Sequence, residues 1–296
     1  MSDYCSQLAQ QMQAPLYGTA STFQVALLLE FNGAWNGKAV ANNDLPESIK
    51  VWVQDQQNAV EGLRPLWIKR ATPSQEKTLY IGVTDRAVPR LYRIHFQAYE
   101  ELLSLDVAAL LRGETDHQPV KERVVAVCTN GKHDLCCAKF GLPIYQALEA
   151  ESDISAWQCT HIGGHRYAAT AVVLPTGVTY GYLTPENIGE VAQAIRDDTI
   201  YLPCYRGSAA YSGAVNAAEY FLRMKNNQTM LNALTAIHSE KRDQEWQVHF
   251  RNGREEAYMV GLSESTTDPV ISSCGDKPPK PQMNYQLLQI QSPEPV

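Results

Sequence analysis

The chain has 296 residues, 44% of them hydrophobic, with 25 basic against 32 acidic side chains and a net charge of −7. That is long enough for a substantial core and two domains, while the mixed, mildly acidic balance gives no electrostatic case for nucleic acid or an anionic membrane. No apolar run reaches the roughly 18 residues of a membrane-spanning helix.

In chain order, the N-terminal stretch MSDYCSQLAQQMQAP is polar and lacks the basic and apolar regions of a secretory signal. Phe23–Phe31, Leu66–Arg70, Thr78–Val83 and Leu91–Gln97 read as strands, and Ser48–Ala59 and Tyr99–Arg112 as helices. Glu30 and Trp35 read as a strand end and a packing residue. The polar segment Gly113–Lys121 (GETDHQPVK) is the best boundary. Residues 1–117 are therefore expected to form an α/β domain, and the absence of a CxxC pair there assigns it no redox chemistry.

Glu122–Thr129 (ERVVAVCT) reads as a buried strand ending at Cys128, and Leu142–Glu151 as a helix after a loop holding Cys137. Trp157–His161 reads as a strand entering His161-Ile162-Gly163-Gly164-His165. Thr170–Leu174 and Val178–Tyr182 flank the turn Pro175-Thr176-Gly177, and Thr184 is expected to cap a helix with Pro185 at its first position, running through Ile188, Val191, Ala192 and Ile195. Beyond Tyr205 come a helix over Ala214–Lys225, a second helix, and a hairpin whose strands Glu245–Phe250 and Glu256–Leu262 flank Arg251-Asn252-Gly253. The fold class expected is α/β: a thioredoxin-like ferredoxin domain at 118–204 and a helix-plus-hairpin extension at 205–296, after a smaller α/β domain open to the same thioredoxin-like reading.

Cys128, Cys137, His161 and His165 carry the chemistry. Two thiolates and two imidazoles suit zinc or iron–sulfur and argue against magnesium or calcium, which take oxygen donors. Eight residues between the cysteines is too wide for a zinc knuckle. A Rieske site interleaves Cys and His, whereas here the pairs are segregated. A thioredoxin-like ferredoxin takes one ligand pair from a loop after its first strand and another from a later loop, which this order fits. Gly163 and Gly164 let backbone approach a cluster closely with positive φ, and their amides are candidate donors to its sulfurs. Cys159 reads as core, Cys5, Cys204 and Cys274 as isolated structural residues, and His133 as an exposed loop residue.

The stretches CTNGKHDLCCAKFG, THIGGHRYAATAVVLPTGVTYGYLTPEN and YRGSAAYSGAVNAAEYFLR resemble the sucrase/ferredoxin-like family. The segments LLEFNGAWN and GLRPLWIKR extend the resemblance into the first half. Fungal members are thioredoxin-like ferredoxins with a bis-histidinyl 2Fe–2S cluster, so the resemblance implies ligation by Cys128, Cys137, His161 and His165. Asp134 selects Cys137, the third residue after it. Cys136 departs from the fungal pattern, which often has a basic residue there, and its thiol competes with Cys137 as a candidate ligand. Arg206-Gly207 belongs to the family pattern too, near the cluster.

The expected protein is therefore a cytoplasmic electron carrier with one 2Fe–2S cluster, the cysteines on one iron and the histidines on the other. Replacing two thiolates by neutral imidazoles removes the net negative charge of the oxidised centre, which raises its potential relative to a plant-type ferredoxin. The second imidazole nitrogens couple electron to proton uptake. No GxGxxG turn for a dinucleotide and no flavin site is evident, so an external reductase and acceptor are the expected partners. The alternatives are a zinc-stabilised protein and a thiol oxidoreductase using Cys136 and Cys137. No carboxylate pair of the glycosidase kind surrounds the motif.

Overall fold

The computed structural model describes residues 4–275 and 277–292; the first three residues of the polar N-terminal stretch and the last four of the chain lie outside them. Helix α1 (Cys5–Gln11) precedes β1 (Val25–Glu30), α2 (Glu47–Ala59), β2 (Leu63–Lys69), β3 (Lys77–Val83) and β4 (Arg90–Phe96). The expected helix over Tyr99–Arg112 is broken in two, a 3-10 turn at Tyr99–Ser104 and α3 (Val107–Arg112). Asp106 causes the restart: its side chain accepts from the Ala109 amide at 2.9 Å and caps the new helix.

Next come β5 (Val124–Cys128), α4 (Leu135–Glu149), β6 (Ser155–Cys159), β7 (Ala171–Leu174), β8 (Val178–Tyr180), α5 (Ile188–Arg196) and β9 (Tyr205–Ser208). Ahead of α5, the Asn187 side chain accepts from the Thr184 amide at 2.9 Å, so the residues around Pro185 form a turn and the helix proper begins at Ile188. Helix α4 starts seven residues earlier than expected, at Leu135 rather than Leu142, and carries Pro143 inside it. Cys137 thus stands in the helix and not in a loop.

Nine strands form one sheet in the order β4-β3-β1-β2-β6-β5-β7-β8-β9. Every residue of β1 and of β5 is buried, which is why both read as near-continuous apolar runs rather than alternating ones. The sheet contains the same connectivity twice. β1-α2-β2-β3-β4 lies in the order β2-β1-β3-β4, and β5-α4-β6-β7-β8 in the order β6-β5-β7-β8. In each unit the first two strands are parallel across their helix and the rest antiparallel. The sequence shows no repeat, but the topology has one. The segment 113–121 separates the units, yet the sheet passes across the seam through an antiparallel pairing of β2 with β6 at Ile68↔Cys159 and Lys69↔Gln158. One core cluster spans both units and includes Leu28, Ile68, Val124, Cys128, Cys137 and Cys159.

The C-terminal region differs from expectation. After α6 (Gly213–Asn226), no second helix follows among the described residues. β10 (Leu234–Arg242), β11 (Glu245–Asn252), β12 (Ala257–Thr266) and β13 (Met283–Gln291) form a four-stranded antiparallel sheet in sequence order. Asn227 ends α6 in the left-handed conformation, φ 50°. Val248, Phe250, Val260 and Leu262 alternate along β11 and β12 and are buried in one cluster with Ala214, Ala218 and Leu222 of α6. Four strands supply the apolar face that a lone hairpin lacks. No helix of the described residues is long and apolar enough to cross a membrane.

Candidate metal centre

The cysteine pair is set by the junction of β5 and α4. Cys128 closes β5, its amide donating to Thr170 O at 3.0 Å. Asp134 caps α4 by accepting from the Cys136 amide at 3.0 Å. Cys136 and Cys137 then lie in the first turn, where successive side chains diverge by about 100°. Cys137 faces Cys128 and His161, and Cys136 faces Cys5 and Cys274. Gly141 brings helix and strand together: a Cβ there would stand 2.1 Å from Cys128 O.

The histidine pair sits on a left-handed turn. Gly163 and Gly164 have φ of +98° and +73°, conformations that L side chains rarely adopt. A Cβ on Gly163 would lie 2.2 Å from Ser21 Oγ, and one on Gly164 2.1 Å from Arg206 Nη2. Arg206 is buried and donates through Nη1 to Gly163 O at 3.1 Å and through Nε to Thr19 Oγ1 at 3.1 Å. Arg64 Nη2 donates to His161 O at 3.3 Å. Two arginines thus hold the loop backbone, and burial pushes both guanidinium pKa values down, that of Arg206 to about 10. Gly164→Ala is expected to cost about 1–3 kcal/mol of stability. Thermal unfolding measures it, and an unchanged transition would contradict the role given to this turn.

The four expected ligands fall into two overlapping triads. Cys128 Sγ and Cys137 Sγ each lie 3.8 Å from His161 Nδ1. His161 Nε2 is in turn 3.5 Å from His165 Nδ1. One triad is Cys128, Cys137 and His161, the other His133, His161 and His165, each with its ligand atoms within 4.8 Å of one another. The thiols are buried and the histidines half-buried. His133, expected to be an exposed loop residue, instead stacks on His161 with ring centroids 3.6 Å apart and its Nδ1 2.9 Å from Gly37 O. Its signal in the sequence was only its place between the cysteines. The first unit therefore reaches the centre through the loop after β1.

Ionisation is distributed across this cluster. The neighbouring thiols of Cys128 and Cys137 compete for ionisation, which holds the Cys128 pKa well below and the Cys137 pKa well above the ordinary thiol value. Burial then adds to the rise at Cys137, and His161 favours the Cys128 thiolate. Burial pushes the His165 imidazole down to about 4 against the opposing charge of Asp134. Burial works to raise Asp134, but hydrogen bonds from Cys274 and the Cys136 amide, with His165, hold it below the usual carboxylate value. The nearest approach of His165 Nε2 to that carboxylate is 3.5 Å, and the same nitrogen lies 2.9 Å from Ser273 Oγ.

The remaining cysteines divide. Cys159 and Cys204 are buried in apolar clusters, as core residues. Cys5 and Cys274, expected to be isolated, meet Cys136 beside Asp134. Their separation in sequence hid that contact.

A family model described as sucrase/ferredoxin-like matches residues 16–207, which takes in both units and Cys128, His133, Cys137, His161 and His165. The protein "Altered inheritance of mitochondria protein 32" of Meyerozyma guilliermondii is 30% identical over 131 residues, 40% of this chain and 45% of that protein. The chain thus aligns with less than half the length of that relative. No solved structure matches.

Proposed function

The chain belongs to the sucrase/ferredoxin-like family, and from that premise we propose that it is an electron-transfer protein carrying one 2Fe–2S cluster on Cys128, Cys137, His161 and His165. The observation that carries this reading is the pair of overlapping triads sharing His161. A single tetrahedral ion draws four donors to within about 4 Å of one another. Two linked triads, cysteine-rich on one side and histidine-rich on the other, suit a centre with two metal atoms. Such a cluster supplies a site that takes up and gives up one electron.

The residues around it hold and orient. Buried Cys128 and Cys137 anchor the inner side, and half-buried His161 and His165 form the outer side, where an electron and a proton can arrive. His165 Nε2 is the atom placed to take the proton, with Ser273 Oγ at 2.9 Å as its hydrogen-bond partner and Asp134 to favour the cation. A cavity of about 390 Å³ beside His161 and His133, lined by Val40, Pro65 and Leu66 among others, offers an external reductase or acceptor an apolar approach. All seven cysteines are free, which supports a reducing, cytoplasmic setting. The Meyerozyma relative is named for altered inheritance of mitochondria.

Potentiometric titration of the anaerobically purified protein, followed by visible absorption at several pH values, tests the reading. The expected result is a brown chromophore that bleaches reversibly. Its midpoint should fall as pH rises, because the reduced state holds the extra proton more tightly. A colourless protein with zinc in place of iron sinks the electron-transfer reading, and a pH-independent midpoint sinks the proton coupling.

A further inference from the structure

Three cysteines remote in sequence converge beside Asp134, whose carboxylate also lies 3.5 Å from His165 Nε2. Cys5 opens α1, Cys136 lies in the first turn of α4, and Cys274 sits in the segment between β12 and β13. Their Sγ atoms are 3.5 Å apart for Cys5–Cys136, 3.2 Å for Cys136–Cys274 and 3.7 Å for Cys274–Cys5. Asp134 Oδ1 lies 3.9 Å from Cys5 Sγ, and one ligand atom from each of the four residues lies within 4.8 Å of the others. Cys5, Asp134 and Cys136 are buried, and Cys274 is half-buried.

Sulfurs bound tetrahedrally to one zinc ion at about 2.3 Å stand about 3.8 Å from each other, close to the spacing here. A disulfide brings two sulfurs to about 2.05 Å and leaves the third over. An iron–sulfur core places sulfide between its metals and spreads the outer thiolates more widely than one shared ion does. Three sulfurs and a carboxylate oxygen gathered away from water offer one cation four donors of kinds that zinc takes. We propose that Cys5, Cys136, Cys274 and Asp134 form a second metal site, a structural one for zinc. It does not rest on the cluster reading, since it uses none of the same four ligands.

The consequence is mechanical. One ion would tie the N-terminal helix and the C-terminal segment to the start of α4, the turn that also presents Cys137. Cys274 is adjacent to Ser273, the hydrogen-bond partner of His165. The second site would therefore hold the cover over the histidine side of the first.

Metal analysis of the full-length chain as isolated tests this. About one zinc per chain is expected in addition to any iron. Cys274→Ser should lower zinc at least ~10-fold and leave iron in place, while Cys128→Ser should do the reverse. Alkylation mapping of the unaltered chain gives a readout that no variant can spoil by misfolding. Cys5, Cys136 and Cys274 should be protected until a chelator removes zinc, and should then react together. Free reaction of the three before chelation, a disulfide among them, or zinc unchanged in Cys274→Ser would overturn the proposal.

Discussion

Cys128→Ser is expected to abolish iron incorporation, with a loss of affinity greater than the ~100-fold that even an outer partner of a metal site can cost. Cys128 is buried at the end of β5 and lies 3.8 Å from His161 Nδ1. A serine oxygen is shorter and harder than a thiolate and cannot take its place beside Cys137. The same substitution at Cys159 is the control. That residue is buried in the register partner of Cys128 on β6 but belongs to neither triad, so Cys159→Ser should disturb packing and keep iron. Cys136→Ser separates the vicinal pair: its thiol points to Cys5 and Cys274, so iron should be retained. Iron content and visible absorption of the three variants check this. A Cys128→Ser protein that still carries stoichiometric iron would remove the centre from β5.

Glu219→Ala is expected to destabilise the fold by about 3–5 kcal/mol. Glu219 and Arg223 are fully buried on α6 and pair at 2.8 Å, with a second contact from Arg223 Nε at 3.1 Å. Arg86 Nη2 reaches the same carboxylate at 3.4 Å, and Tyr205 OH donates to it at 2.6 Å. Arg223 also donates to Met230 O at 2.8 Å and Leu231 O at 3.1 Å. The carboxylate thus joins α6 to β9 and to the segment after β3. Without it, two guanidinium groups stay buried with nothing to balance them, which is why the loss is large. Glu219→Gln should cost less, because it keeps the shape and an acceptor.

The pH dependence follows from the same group. Burial alone would raise the Glu219 pKa, but Arg223 and Arg86 outweigh it and hold the value below that of a free glutamate. A depressed carboxylate contributes its stability in full above its unfolded pKa of about 4.3 and loses it as pH falls through the folded value. Urea unfolding at a series of pH values should therefore show a steep acid limb in the unaltered protein and a shallower one in Glu219→Gln. Equal acid limbs would mean that the pair carries no such linkage.

Some of this was legible residue by residue. The apolar runs of β1 and β5 and the turn at Pro175-Thr176-Gly177 read correctly because each is a local pattern. Helix α4 was expected from Leu142 but begins at Leu135, so that it runs through Gly141, a weak helix former in isolation. In the fold, Gly141 is the place where the helix touches Cys128 O, and tertiary packing outweighs the local penalty.

The chain by itself determined the four candidate donors and their spacing, the two glycines that need positive φ, and the α/β class, since each depends on neighbours within a few residues. Only the tertiary structure decided that Cys137 rather than Cys136 faces Cys128, that His133 stacks on His161, that the two halves share one sheet, and that Cys5 and Cys274 meet beside Asp134. Those outcomes turn on which face of a helix packs inward and on contacts between segments far apart in the sequence, and no local periodicity carries them.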